Sequence, residues 1–425
     1  MASPREVAWQ VLNRCDVNEQ YSNIALDTAI KRADLKDSDR GLLTALVYGT
    51  IERKITLDAS IERLAVHGTK DLPQDVRNLL RMGIYQMAFL DRIPDHAAVN
   101  ETVDLAPKRY RGFVNAILRA FVRGGKALAI PEREEDPIRY LSVRYSFCEE
   151  ICETFAASFG LTRTEELFAA FEKEPPLTVR VNTLRATREE LMERWSRDGL
   201  RAEATEESEN GIRVLDKAPV TALYGFEEGL FFVQDEASQL CVKALDVGRD
   251  MKVLDACACP GSKSFGAAMD LQNTGSVIAC DLHKNKLSLV TSGAERLGIA
   301  NLSVMEQDAR VRREEWVGAF DRVLCDVPCS GFGVFAKKPE LRYKSPAESA
   351  RLPKIQADIL DNASAYVKTG GKLVYSTCTL LPDENENNVA AFLERNGDFS
   401  LLEQRTLTPD RDGTDGFFYA VLIKR

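Results

Sequence analysis

The sequence predicts a multidomain chain. It has an all-α front over residues 1–126, a linker and small α/β subdomain over 127–240, and a C-terminal α/β domain over 241–425 with a mostly parallel sheet. Three observations predict it. The 425 residues exceed one ordinary domain of about 100–200 residues. Apolar residues recur at helical spacing through the front. From residue 241 onward, strand-like and helix-like stretches alternate, which is the pattern of a parallel, doubly wound sheet.

In the front, Leu42, Leu43, Leu46, Val47 and Ile51 predict a helix over 39–53, and Val76, Leu79, Leu80, Ile84 and Met87 one over 74–90. Gly68, Pro73 and Pro94 separate the helices, and aspartates near each start are expected to cap them. Over 107–123, Phe113, Val114, Ile117, Leu118, Phe121 and Val122 fill one half of a helical wheel; Lys108, Arg109, Arg111, Arg119 and Arg123 fill the other. On charge alone that stripe reads as a solvated face. Gly124-Gly125 ends the front, and PEREEDP (131–137) reads as a linker.

The middle holds helical stretches near 148–159 and 164–172, then the alternating run LTVRVNTL (177–184). A helix over 186–199 has Thr187 and Glu190 in capping-box spacing, and strand-like pieces follow at 211–215 and 229–234. In the last third, strands are expected at 252–257, 276–281, 302–308, 320–328, 372–378 and 416–425. Helices are expected after the ACPGS loop, over 284–297, near 353–368 and over 383–396.

Composition narrows the function. With 44% hydrophobic and 28% charged residues the chain is of ordinary globular make-up. It has no apolar run of about 18 residues, so no membrane span is expected. MASPREVAWQVLNRCD has no apolar signal-peptide core, so a cytoplasmic protein is expected. The ten cysteines form neither a disulfide framework nor a CxxC pair, and with only His67, His96 and His283 no metal site is expected. Cys148 and Cys152 read as buried small hydrophobes. The net charge of −9 argues against a strongly basic nucleic-acid binder, but it divides unevenly: residues 1–130 carry 19 basic and 16 acidic side chains, and the remainder 37 and 49. No coiled-coil pattern is present, so a monomer is expected.

The chemistry-bearing residues fall at strand ends. VLDACACPGSKS follows a strand and opens a helix, where α/β folds place nucleotide-like ligands. It is neither GxGxxG nor a Walker A loop. Asp281 ends the next strand, where a carboxylate can hold ribose hydroxyls, and Asp308 the third, where one can meet an adenine amino group. This ordering points to an adenosine-type cofactor. CDVPCSGFG (325–333) puts Asp326 and Cys329 just past the fourth strand, and YSTCT (375–379) puts Cys378 just past the fifth, so two thiols are expected to face each other across one crevice.

DACACPGSKS, DVPCSGFGV and YSTCTLLPDENE together resemble the RNA cytosine-C5 methyltransferases that use S-adenosyl-L-methionine. The all-helical front resembles the antitermination factor NusB. That pairing, with VRVNTL, VQDEAS and DGFFYA, resembles the RsmB (Sun/Fmu) class of 16S ribosomal RNA methyltransferases over essentially the whole chain. The resemblance implies a Rossmann-like catalytic domain, a NusB-like RNA-binding front and small-subunit ribosomal RNA as partner. It implies that Cys378 is the nucleophile, that Cys329 assists product release, and that Asp326 binds the cytosine edge with Lys263 nearby. Cys257, Ala258, Cys259, Pro260, Gly261, Ser262, Lys263, Asp281, Asp308 and Asp326 would form the cofactor site. It moves the basic stripe of Lys108, Arg109, Arg111, Arg119 and Arg123 toward RNA contact. Two departures stand out: Ser262 replaces a glycine, carrying strain if that position needs positive φ, and Phe332 replaces a small hydroxyl residue. The alternatives are the same chemistry on transfer RNA and a catalytically silent RNA-binding factor. An NAD-dependent oxidoreductase lacks its glycine fingerprint here.

Overall fold

The computed structural model describes residues 3–18, 22–33, 35–66 and 68–425; His67 lies outside them. The chain forms two compact units, Met1–Glu172 with Lys337–Pro346, and Lys173–Ala336 with Ala347–Arg425.

Ten helices build the first unit among the described residues. They are α1 (Pro4–Asn18), α2 (Ser22–Arg32), α3 (Asp37–Glu52), α4 (Lys54–Leu64), α5 (Gln74–Phe89), α6 (Asp95–Leu105), α7 (Arg111–Arg123), α8 (Pro137–Tyr145), α9 (Glu149–Phe159) and α10 (Leu161–Ala170). The apolar stripes of α1–α7 close on one core in which Leu43, Leu46, Val76, Leu80, Val114 and Leu118 are fully buried. Each such side chain contributes about 1.5–3 kcal/mol on leaving water.

The expected aspartate caps are not made on α3, α5 and α6. Their N-cap residues are Lys36, Pro73 and Pro94, and none caps through its side chain. Asp75 and Asp95 sit inside the first turn instead, where their charge meets the positive end of the helix dipole. Helix α8 is not expected from periodicity. Its start is nevertheless written in the linker: Asp136 accepts a hydrogen bond from Arg139 N at 2.9 Å, and Pro137 takes the first helical position. The segment 337–346 enters this unit through Arg342, which is fully buried. Arg342 donates to the carbonyls of Tyr145 and Phe171, each at 2.9 Å, and lies over the ring of Phe147.

The second unit holds two sheets. The smaller is antiparallel, in the order β2-β3-β1-β4, from β1 (Leu177–Val181), β2 (Ala202–Ala204), β3 (Gly211–Val214) and β4 (Phe231–Val233). Helix α11 (Arg188–Arg197) covers it through Leu191 and Trp195, and opens on the expected capping box of Thr187 and Glu190. Helix α12 (Glu236–Ala244) follows.

The larger sheet has seven strands in the order β10-β11-β9-β8-β5-β6-β7. The strands β5 (Lys252–Asp255), β6 (Ser276–Asp281), β7 (Leu302–Glu306), β8 (Phe320–Asp326) and β9 (Val367–Thr377) run parallel. Strands β10 (Phe399–Leu407) and β11 (Phe417–Lys424) are antiparallel and extend the β9 edge. Helices α13 (Ser262–Asp270), α14 (Lys284–Leu297), α15 (Leu352–Ser364) and α16 (Glu386–Arg395) lie between the strands in sequence. Strand order reverses between β5 and β8, which opens a crevice at their carboxyl ends. No helix among the described residues is long and apolar enough to cross a membrane.

Leu118 is fully buried in the first unit's core. Leu118→Ala is expected to destabilise that unit by roughly 2–5 kcal/mol, read as a lowered calorimetric transition, with the second unit's transition unmoved.

Candidate active site at the carboxyl ends of the parallel strands

Strand β5 ends at Asp255, and the chain then turns through residues 256–261 into α13. Backbone hydrogen bonds fix this loop to its neighbours. Ala256 N donates to Leu324 O at 2.9 Å, Ala258 N to Cys280 O at 2.7 Å, and Phe265 N to Gly261 O at 2.9 Å. Gly261 has φ +114°, and a Cβ there would lie 2.6 Å from Phe265 Cζ, so glycine is required. Ser262 is the first residue of α13 and is absent from the positive-φ positions. The strain anticipated at Ser262 therefore does not arise; Gly261 takes the left-handed turn one residue earlier.

Asp281, at the end of β6, receives Cys259 N at 3.3 Å and His283 N at 2.9 Å. It borders the loop formed by Cys257, Ala258, Cys259 and Pro260. Partial burial and the Asp281 charge push the Cys259 thiol up to about 12, and burial raises the Cys257 thiol well above its ordinary range. Asp308 lies just past β7, and Arg310 grips both its oxygens, at 3.0 and 2.7 Å, holding it below the usual carboxylate range.

The chemistry concentrates at β8 and β9. Lys263, on the first turn of α13, is buried, and its Nζ donates to Asp326 Oδ2 at 2.7 Å. Burial opposes a charged amine there, but Asp326 outweighs it and Lys263 stays protonated. The other Asp326 oxygen accepts from Ser376 Oγ at 2.8 Å. Beyond the strands, Cys329 Sγ and Cys378 Sγ stand 3.2 Å apart. The hydrogen bond with Cys378, and then burial, hold the Cys329 thiol well above the ordinary thiol range, and either sulfur can donate across the contact.

Two glycines make this approach possible. Gly333 N donates to Cys378 O at 3.0 Å, and Gly416 N to Gly333 O at 2.8 Å. A Cβ on Gly333 would lie 1.9 Å from Gly416 O. Phe332 is fully buried and stacks on Phe335.

The structure thus brings Lys263, Asp326, Cys329 and Cys378 to one crevice, with Asp281 on the neighbouring strand end. The basic residues Lys108, Arg109, Arg111, Arg119 and Arg123 belong to the first unit, on and just before α7. All five are exposed, and none forms an ion pair among the described residues. Arg111 donates to the carbonyls of Asp104 and Ala106, Arg119 to Asn115, and Arg109 lies over Tyr110.

Sequence reasoning passed over Asp255, the first residue of the DACACPGSKS motif. It is buried and accepts from Ser264 Oγ at 2.5 Å, and burial lifts its carboxyl to about 7. A carboxyl raised in the folded state stabilises the fold fully below its ordinary value of 3.8, and that contribution is lost as pH rises to about 7. Asp255→Asn removes the dependence. Its melting temperature relative to wild type is therefore expected to rise between about pH 4.5 and about pH 7.5, checked by thermal unfolding across that range; a flat difference would contradict the assignment.

Three family models match the chain. The NusB family model covers residues 2–123, the RsmF/B-like ferredoxin-like domain 151–221, and the 16S rRNA methyltransferase RsmB/F model 242–423. A protein named probable ribosomal RNA small subunit methyltransferase B, from Bacillus subtilis, is 38% identical over all of this chain and 99% of its own length. A ribosomal RNA small subunit methyltransferase B from Pseudomonas syringae pv. tomato is 34% identical over 99% of this chain and 97% of its own length. The crystal structure of PH0851 superposes with a TM-score of 0.82 at 25% identity, covering 100% of this chain and 99% of that one. With its helical front, middle subdomain and C-terminal domain each matched, the chain belongs to the RsmB/F family of 16S rRNA methyltransferases with an N-terminal NusB domain.

Proposed function

We propose that the chain transfers a methyl group from S-adenosyl-L-methionine to C5 of a cytidine in small-subunit ribosomal RNA, through a covalent bond between Cys378 and C6 of the base. The observation that carries this reading is the facing pair of thiols beside a buried lysine–aspartate pair. The names of the relatives support the choice of RNA.

The donor set suits an adenosyl group. Asp281 and Asp308 stand at the ends of successive strands, Asp281 against the 256–261 loop, and carboxylates accept from ribose hydroxyls and an adenine amine. When bound, the cofactor supplies an electrophilic methyl group on a sulfonium.

C5 of cytosine is a weak nucleophile. Cys378 Sγ adds to C6 as a thiolate, the C5=C6 electron pair moves onto C5, and C5 would take the methyl group, whose bond to the cofactor sulfur breaks and leaves its electron pair on a neutral thioether. Lys263 places positive charge near Cys378, and Cys329 Sγ, 3.2 Å away, can donate to the thiolate once it forms; both favour it. Asp326 accepts from the cytosine N4 amino group, which uracil lacks. Each of its oxygens has a lone pair beyond those given to Lys263 and Ser376. The C5 proton then passes to Cys329, which has first given its own proton to solvent; the C5–H electron pair re-forms C5=C6, and the C6–Sγ pair leaves with Cys378 as a thiolate. A base within a duplex has to be extruded or already unpaired. The exposed stripe of Lys108, Arg109, Arg111, Arg119 and Arg123 supplies phosphate contacts.

The test is a label-transfer assay with methyl-labelled S-adenosyl-L-methionine on protein-free small-subunit RNA and, separately, on bulk transfer RNA. Label recovered as 5-methylcytosine in the ribosomal RNA is expected. Label in transfer RNA alone would reject the substrate, and a different labelled base would reject the chemistry. Cys378→Ala is expected to abolish transfer with cofactor affinity intact. Cys329→Ala is expected to accumulate a protein–RNA adduct that survives denaturing electrophoresis. Two variants that turn over normally would overturn the two-thiol mechanism.

A further inference from the structure

Two adjacent side chains reach one to each thiol-bearing segment. Glu384 ends a short turn just before α16 and is 3% exposed. Its Oε2 accepts from Ser330 N at 3.0 Å and from Gln356 Nε2 at 2.7 Å. The same Gln356 nitrogen also donates to Pro328 O at 2.9 Å. The peptide units on both sides of Cys329 are therefore tied to this carboxylate, directly or through Gln356.

Asn385 does the corresponding work on Cys378. Its Oδ1 accepts from Thr377 Oγ1 at 2.5 Å, and its Nδ2 donates to Thr379 O at 2.9 Å. Ser330 Oγ then donates to Thr379 Oγ1 at 2.8 Å, joining the two segments.

The diversion of Asn385 makes this more than loop packing. It occupies the N-cap position of α16, where an asparagine ordinarily caps its own helix, yet it makes no cap bond. The helix start thereby forgoes a stabilising cap. Glu384 likewise buries a carboxylate in apolar surroundings, which is unfavourable unless donors satisfy it. Both residues spend their hydrogen-bonding capacity on the segments that carry Cys329 and Cys378.

We infer that Glu384 and Asn385 are positioning residues that set the Cys329–Cys378 separation, and thereby the balance between adduct formation and product release. The second half of this inference rests on the two-thiol reading of the chemistry; the first half does not.

The test reads the geometry without RNA. Full-length protein is treated with an azodicarboxamide oxidant, and the Cys329–Cys378 disulfide is quantified over time by peptide mapping. Each cross-link forms one Sγ–Sγ bond, and the two thiol hydrogens reduce the azo group to a hydrazine. Wild type is expected to cross-link this pair ahead of other cysteines. Glu384→Ala is expected to slow it about tenfold, the scale set by losing hydrogen bonds to a buried charged group. Glu384→Gln, which can still accept from Ser330 N, is expected to restore the rate to within about threefold. Asn385→Asp keeps the side-chain shape and replaces the donor to Thr379 O with an acceptor; it is expected to be slow, and it decides the matter if Glu384→Ala does not fold.

A second readout is the fraction of protein held as RNA adduct at steady state, expected to rise in Glu384→Ala. Wild-type cross-linking rates in Glu384→Ala or Asn385→Asp would overturn the inference, as would a Glu384→Gln variant as slow as the alanine. If Cys329→Ala traps no adduct on any RNA, the chemistry fails on its own, and the cross-linking rates still judge the positioning.

Discussion

The site depends on the register in which β8 pairs with β9. Cys325 lies opposite Tyr375, and Asp326 opposite Ser376. That pairing sets Ser376 Oγ on Asp326 and brings the chain beyond each strand out at the same level, so that Cys329 and Cys378 meet. A slip of one residue would turn Asp326 or Ser376 to the opposite face and leave a buried polar group without its partner. Both strands are buried along their carboxyl halves, with Val323, Leu324, Val374 and Tyr375 fully enclosed. The same burial that stabilises the sheet thus holds the register, and the register places the chemistry.

The buried pair of Lys263 and Asp326 is costly as a stabilising device, since two charges leave water for one contact. It makes sense as electrostatics. The amine stands 5.0 Å from the Phe417 ring centroid, and its affinity for a proton is raised by the Cys378 thiol as well as by Asp326, so its charge is felt at Cys378. The thiolate proposed at Cys378 draws on that charge. The different roles proposed for the two thiols rest on such differences in their surroundings.

Much of this was legible in the sequence because it rests on local pattern. Strand–helix alternation placed the large sheet's parallel strands along the chain, and the position of the last two motifs put Cys329 and Cys378 just past successive strands. The capping box at Thr187 was legible for the same reason. What escaped the sequence depends on distant partners. Strand β10 exposes Leu401 and Leu402 in succession and carries a bulge, so it lacks the period of two that marks a half-buried strand. Gly333 is explained only by Gly416, 83 residues later in the chain. Glu384 and Asn385 stood inside a motif already singled out, but a polar pair in a turn reads as surface until the burial of Ser330 and Thr379 is known. The condition for strain at Ser262 is not met, since it is Gly261 that adopts positive φ.

The division of charge follows from the same economy of partners. Residues 131–425 carry a net excess of acidic side chains, which repels a polyanion at long range. The cation central to the chemistry cannot offset this, because Lys263 is 8% exposed and committed to Asp326. Cations that serve phosphate must be exposed and free of internal carboxylates. Lys108, Arg109, Arg111, Arg119 and Arg123 meet both conditions, since the partners they do have are carbonyls, an amide and an aromatic ring. Such contacts orient a guanidinium without neutralising it. On the function proposed above, methylating a base while gripping a backbone needs both kinds of cation, one sequestered and one available, and Lys263 and this exposed stripe are the residues proposed for them.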